Sequence, residues 1–230
     1  MWVWKPFTQA SESTSWFITN STSLGDVHIP PQFVMKDDQT LSFIRSVGAG
    51  HVVTSVDGNF ESTLLPFTLT TDGSAITVRA HISKANPQHR TMDGAECLLI
   101  VSGPDAYVSP ANYPSKADGG KVVPTWNYAI AHIRGTITTF DDHDTLLHDV
   151  SGLSDHHEVG QAHPWSVDDA PKDYIDNLLK GIVGIEIAVS SIVGKAKLSQ
   201  NRPETDRTTV RDAFLQGTHR ERQVGELMND

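Results

Sequence analysis

HVVTSVDGNFESTLLPFTLTTDGSAITVRAHI, residues 51–82, is the stretch that decides the fold. Apolar and polar residues alternate along it, and Asp57-Gly58 and Asp72-Gly73 interrupt the alternation. Asp-Gly between apolar runs marks a tight hairpin, because both residues tolerate the positive φ that such turns require. Three antiparallel strands joined as a meander are expected. In the third strand Ile76, Val78, Ala80 and Ile82 point one way, while Thr77, Arg79 and His81 point the other.

Upstream, Leu41, Ile44 and Val47 recur about three apart between Asp37 or Asp38, a candidate N-cap, and Gly48, a stop. This spacing predicts a short amphipathic helix over 38–47. Downstream, CLLIV (97–101) is apolar on both faces and reads as a fully covered strand. TWNYAIAHIRGTITTF (125–140) reads as a long strand with His132, Arg134 and Thr136 on one face and Ile133 and Ile137 on the other. Residues 103–128, dense in Pro, Gly, Tyr and Trp, read as a long aromatic-rich loop running up to that strand, of the kind that is commonly functional. A helix is expected around Thr145–Val150. Another opens at Asp168-Asp169-Ala170-Pro171, with Ile175, Leu178, Leu179 and Ile182 on one face. GIVGIEIAVSSIV (181–193) is a further strand, and helical stretches follow around Val210–Leu215 and Val224–Met228. Alternating βαβ units and a Gly-rich strand-to-helix turn are missing, which argues against a Rossmann domain or a P-loop. The chain reads as mainly β (α+β), an antiparallel barrel with helices outside.

Composition narrows the function. The 230 residues carry 18 Lys or Arg against 28 Asp or Glu, a formal net charge of −10, so the overall field does not attract nucleic acid. No apolar run approaches the ~20 residues that span a bilayer, and the N-terminus lacks the features of a secretory signal. The single cysteine, Cys97, cannot form an intrachain disulfide, which fits a cytoplasmic setting. Residues 1–26, with Trp2, Trp4 and Trp16, lack periodicity and read as an extension.

Three groups of residues could carry chemistry. Arg79 and His81, followed by Lys84, Asn86 and Gln88, offer a fork, a point charge and amides suited to a phosphorylated ligand. Trp126 and Asn127 could stack on and hydrogen-bond a planar heterocycle. Lys197, Ser199 and Gln200 supply further donors where a strand exits. His81 and His132 could approach one another in a barrel, and either could be an axial haem ligand. The run Asp155-His156-His157-Glu158 lacks the i, i+4 spacing of a metal-binding helix and reads as solvated. A Gly-x-Ser-x-Gly elbow is missing and Cys97 sits in an apolar run, so any chemistry would fall to a bound cofactor.

Taken together, ANPQ (85–88), GPDAYVSP (103–110), YPSK (113–116), VPTWNY (123–128), GIVGIEI (181–187) and KLSQNR (197–202) resemble the PaiB-like FMN-binding proteins, often labelled negative transcriptional regulators. VHIPPQF (27–33) is similar to where such proteins begin, and the resemblance covers about 27–212. It implies an FMN-binding split β-barrel, an antiparallel Greek-key-type barrel with peripheral helices, normally a homodimer with FMN near the subunit interface. The implied division is an extension over 1–26, a barrel domain over 27–203 with a helical insertion at about 141–181, and a helical tail over 204–230. The implied flavin-site residues are Ser62 and Thr63, then Arg79, His81, Lys84, Asn86 and Gln88, then Trp126 and Asn127, and finally Lys197, Ser199 and Gln200. The chain departs from its relatives at Leu64, His89, Asn112 and Ala196. Haem is the alternative cofactor, by analogy with haem-binding proteins on related barrels. A flavin-dependent reductase using NAD(P)H is the alternative function, although no residue marks a hydride-donor site. Direct DNA binding is not expected, since no helix-turn-helix is legible.

Overall fold

The computed structural model describes residues 28–229. The N-terminal extension, with its tryptophans, lies outside the described residues.

Six strands close a barrel: β1 (Ala49–Val56), β2 (Asn59–Asp72), β3 (Ala75–Ser83), β4 (Glu96–Val108), β5 (Thr125–Phe140) and β6 (Ile182–Lys197). The order around the wall is β1-β2-β3-β6-β5-β4, with all neighbours antiparallel. β4 returns to lie beside β1 after the β1-β2-β3 meander, which is a Greek-key arrangement. The first hairpin turns at Asp57-Gly58, both at positive φ (50° and 79°). The second turns one residue later than the sequence suggests, at Gly73-Ser74, since Asp72 pairs with Ala75.

Alternation sorts the side chains as expected. Val52, Phe67, Val78, Leu99, Ile133, Ile137 and Ile185 point inward and are almost fully buried. Arg79, His81, His132 and Arg134 point outward. Cys97 lies on the inner wall, and burial, followed by the nearby charge of Glu96, pushes its thiol up to about 11. Leu98 and Ile100, on the outer face of CLLIV, are only half-buried, so that strand is covered on one face alone.

Helix α1 (Asp37–Val47) closes one end of the barrel with Phe43 and Ile44. Its N-cap is Lys36, one residue earlier than the sequence suggests, and Asp37 and Asp38 sit in the first turn, where they complement the helix dipole. Gly48 ends it at φ 64°, a left-handed conformation that glycine adopts without a Cβ penalty. Gly103 and Gly194 let the helix approach. A Cβ on the first would strike the Phe43 ring, and one on the second would strike Thr40.

Two expectations are corrected. GPDAYV is not loop: β4 runs on to Val108 across an irregularity between Ser102 and Asp105, leaving a connection of 109–124. Leu178 does not join the buried face of its helix and is 52% exposed, whereas Leu179 is buried and Ile182 already belongs to β6.

Between β5 and β6 lie α2 (His143–Glu158) and α3 (Lys172–Leu179). After β6 come α4 (Glu204–Leu215) and α5 (His219–Leu227). These last two form a second apolar cluster, in which Val210, Phe214, Val224 and Met228 pack on Val108, Tyr113 and Leu198. Among the described residues no helix is long and apolar enough to cross a membrane.

Candidate functional site

The first group of residues gathers at the barrel end away from α1. The 84–91 segment folds beneath the wall, and a 3-10 turn at Pro87–Thr91 sends Gln88 into the barrel mouth. Gln88 is 2% exposed, and its Nε2 donates to Thr54 Oγ1 at 3.0 Å. Its Oε1 accepts from Thr63 Oγ1 at 2.6 Å, and Thr63 in turn accepts from Asn86 Nδ2 at 2.9 Å. Thr63, Asn86 and Gln88 therefore form one network, with Gln88 as its buried anchor. Ser62 faces outward, 3.4 Å from His51 Nδ1. Lys84 is exposed.

Arg79 is engaged. Its Nε and Nη2 donate to Glu186 Oε2 at 3.0 and 2.5 Å, and its Nη1 donates to Asp149 Oδ1 at 3.2 Å. Burial works against the guanidinium charge, yet the hydrogen bonds to Glu186 and Asp149 hold its pKa above the ordinary value. A cleft of about 380 Å³ opens beside it, lined by Thr68, Thr70, Thr77, His148, Asp149 and Glu186. One cation faces two carboxylates there, a balance unsuited to a dianionic phosphate. His81, on the same strand, is held below the usual histidine value by burial, an effect that Asp149 partly offsets.

The second group lies at the other barrel end. Trp126 is 45% exposed, donates to Asp105 Oδ1 at 2.6 Å and meets the Tyr107 ring edge-on at 6.1 Å. Asn127 is completely buried: its Oδ1 accepts from Ser199 Oγ at 3.1 Å, and its Nδ2 donates to Met228 Sδ at 3.6 Å. Lys197 Nζ donates to Thr125 Oγ1 and to the Trp126 carbonyl. Ser199 is no longer on the strand but in a left-handed turn, φ 66°. Gln200 closes that turn, accepting from Leu198 N at 2.6 Å and donating to Ala196 O at 2.7 Å. Asn127, Ser199 and Gln200 thus shape the backbone beneath Trp126 and Lys197.

The two groups do not meet within one chain. His81 pairs with Gly184 on β6, and Lys197 lies thirteen residues further along that strand. At about 3.3 Å per residue this is roughly 40 Å of extended strand. Nor do His81 and His132 approach one another, because β6 separates their strands and His132 pairs with Val193, nine residues from Gly184.

A third group was not singled out from sequence. His132 and Arg134 share the outer face of β5 and β6 with Lys195 and Lys197, which pair with Ile130 and Tyr128 further along the strands. The Lys195 ammonium sits 5.4 Å from the centre of the Tyr128 ring. Alternation had placed His132 and Arg134 on one face; the signal that was missing was which strand lies next to β5.

Residues 27–191 match the family described as "Putative FMN-binding domain". The chain belongs to this family. Among relatives of this FMN-binding protein is the protease synthase and sporulation protein PAI 2 of Bacillus subtilis, 31% identical over 207 residues. That alignment covers 89% of this chain and 97% of the relative. The barrel is similar to that of the flavocytochrome Anf3 from Azotobacter vinelandii, with TM-score 0.53 and 16% identity over 79% of this chain and 78% of that one. It is also similar to a FAD and haem binding protein from Mycobacterium smegmatis, with TM-score 0.51 and 14% identity over 75% and 77% of the two chains. The fold is thus the split barrel that the sequence resemblance implied. FMN is the cofactor of the family, and the donor set suits it: Trp126 exposes an indole for a planar ring, and Lys195 and Lys197 lie on the same outer face.

Proposed function

We propose that this FMN-binding protein works as a homodimer whose flavin sites are shared between protomers. In each site Ser62, Thr63, His81, Lys84 and Asn86 of one chain would face Trp126 and Lys197 of the other. The observation that carries this reading is the placement of the two groups at opposite ends of β6, too far apart in one chain for a single mononucleotide. The outer face of β1, β4 and β5 supports it. Val53, Leu98, Ile100 and Ile130 are only half-buried there, and Leu64 on the adjoining β2 is 58% exposed. Among the described residues, α1, α4 and α5 pack toward one barrel end, and α2 reaches Arg79 through Asp149. Burying such a strip against a second copy contributes roughly 25 cal/mol per Å² of apolar surface.

Bound FMN supplies one- and two-electron transfer; the protein binds it, orients it and limits its contact with water. Regulation by direct DNA contact draws little support from the helical tail. Arg207 donates to Met228 O, Arg211 to Asp212, Arg220 to Asp105 and Arg222 to Gly217 O, while α5 packs on β4.

Complementation tests the shared site. His81→Ala/Lys84→Ala and Trp126→Ala/Lys197→Ala each lose FMN binding, and mixing the two variants restores part of it. A monomer that binds FMN fully, or a mixture that restores nothing, contradicts the reading. Melting temperatures of both variants establish that they fold.

A further inference from the structure

Trp126 owes its orientation to groups outside the set of candidate ligands. Tyr107 on β4 lies opposite Trp126 on β5, and Asp105 lies opposite Tyr128, so Asp105 and Tyr107 flank the indole on one side of the pair. Tyr107 meets the ring edge-on, and the indole Nε1 donates to Asp105 Oδ1 at 2.6 Å. The second carboxylate oxygen, Oδ2, accepts from Arg220 Nη2, 115 positions away on α5. One carboxylate therefore joins the ring to the C-terminal helix. Arg220 stands in the first turn of α5, where a cation opposes the helix dipole, and Thr218 with Glu221 already caps that end. Its placement gains its own helix nothing and is explained by Asp105. The other end of α5 serves the adjacent residue: Met228 Sδ accepts from Asn127 Nδ2. The two ends of the helix thus bear on consecutive positions of β5, Asn127 directly and Trp126 through Asp105. The whole of α5 follows residue 191, where the family match ends.

We propose that Asp105 and Arg220 are positioning residues that fix the Trp126 indole as a stacking face, so that α5 sets the ring platform of the flavin site. The inference rests on the flavin reading above and adds to it two residues with no ligand role. The indole has a single donor, and with that N–H held by Asp105 it offers a ligand its π face alone. A carboxylate accepts such a bond more strongly than a neutral group, and Arg220 keeps it pointed at the ring. A ring fixed beforehand also spares the ordering cost that a free side chain meets on binding.

The experiment has two readouts. In the flavin-free protein, the Trp126 indole N–H signal is assigned by NMR from its loss in Trp126→Phe. Arg220→Met should shift that signal and speed its exchange with solvent, whereas Arg220→Lys should stay near wild type. Arg222→Met is the control: it removes a bond to Gly217 O from the same helix without touching Asp105, and should leave the signal in place. FMN titration supplies the second readout. Arg220→Met should weaken binding about two- to fivefold, the range expected from an exposed ion pair, and should cost nothing further in the Trp126→Phe background. An indole signal that ignores Arg220→Met overturns the assignment. So does an equal loss of FMN affinity in both backgrounds, which would place the effect in the fold of the tail. Where Trp126→Phe binds too weakly to titrate, the indole signal decides alone. A wild type that binds no FMN, but whose indole signal still follows Arg220, sinks the flavin reading and leaves the positioning of Trp126 standing.

Discussion

His81 and His132 show how one residue type, placed on one kind of surface, acquires a measurable role. Both are half-buried on the outer wall and both are held below the ordinary value of 6.5, by burial first. Asp149 opposes the shift at His81, while Arg134 and Lys195 reinforce it at His132. A histidine whose folded pKa is depressed is protonated more readily in the unfolded chain, so its contribution is intact above about 6.5 and is lost as pH falls below it. The melting temperature of the flavin-free protein should therefore drop between pH 7 and pH 5, and His132→Asn should flatten that slope. A variant profile parallel to wild type would show that other groups govern the acid limb. At this scale the sequence was informative about facing and silent about partners. Alternation put Arg79 on the outer wall, but its carboxylates come from 70 and 107 positions away. Gln88 was legible as an amide near a phosphate-like loop, whereas its place as the plug of the barrel mouth depends on Thr54 and Thr63 arriving from other strands.

Helix α2 rests lightly on the rest of the molecule. Leu146 is its one fully buried side chain, and Arg79 reaches it through Asp149 across the threonine-lined cleft. Replacing Arg79 with Met leaves Asp149 and Glu186 facing each other without a cation, so the helix should separate more readily from the wall. The expected result is faster amide hydrogen exchange over 143–158, with the β-strands unaffected and a global cost of about 1 kcal/mol for this partly exposed ion pair. Uniform acceleration across the strands would mean that Arg79 and its two carboxylates support the barrel itself. Elements were the most legible level. Both early hairpins, the long β5 strand and the tail helices follow from period and punctuation, since those signals are local. The errors arose where tertiary contact overrides local pattern. β4 extends past Gly103-Pro104 because its pairing with β5 resumes at Asp105 and the Phe43 ring lies close to Gly103, and a run rich in Gly, Pro and Tyr carries no local trace of that support.

At the scale of the whole molecule, the closed wall joins residues far apart in sequence, and a strand order that puts β6 between β3 and β5 separates two clusters that the sequence presents as one list. That separation is what the proposed second copy would bridge, and it could not be read without the order of strands. Closure has one more consequence. The chain's single thiol, Cys97, is 6% exposed on the inner wall, with a pKa pushed up to about 11, so an alkylating reagent finds neither access nor thiolate while the seams between strands stay zipped. Labelling of the native protein should then proceed only as fast as the barrel opens, slow in buffer, accelerating with urea, and slower again when FMN is added. Immediate labelling in buffer would reveal a seam that breathes locally. The molecule thus carries its own stopwatch, a sulfur atom that starts counting only when the staves come apart.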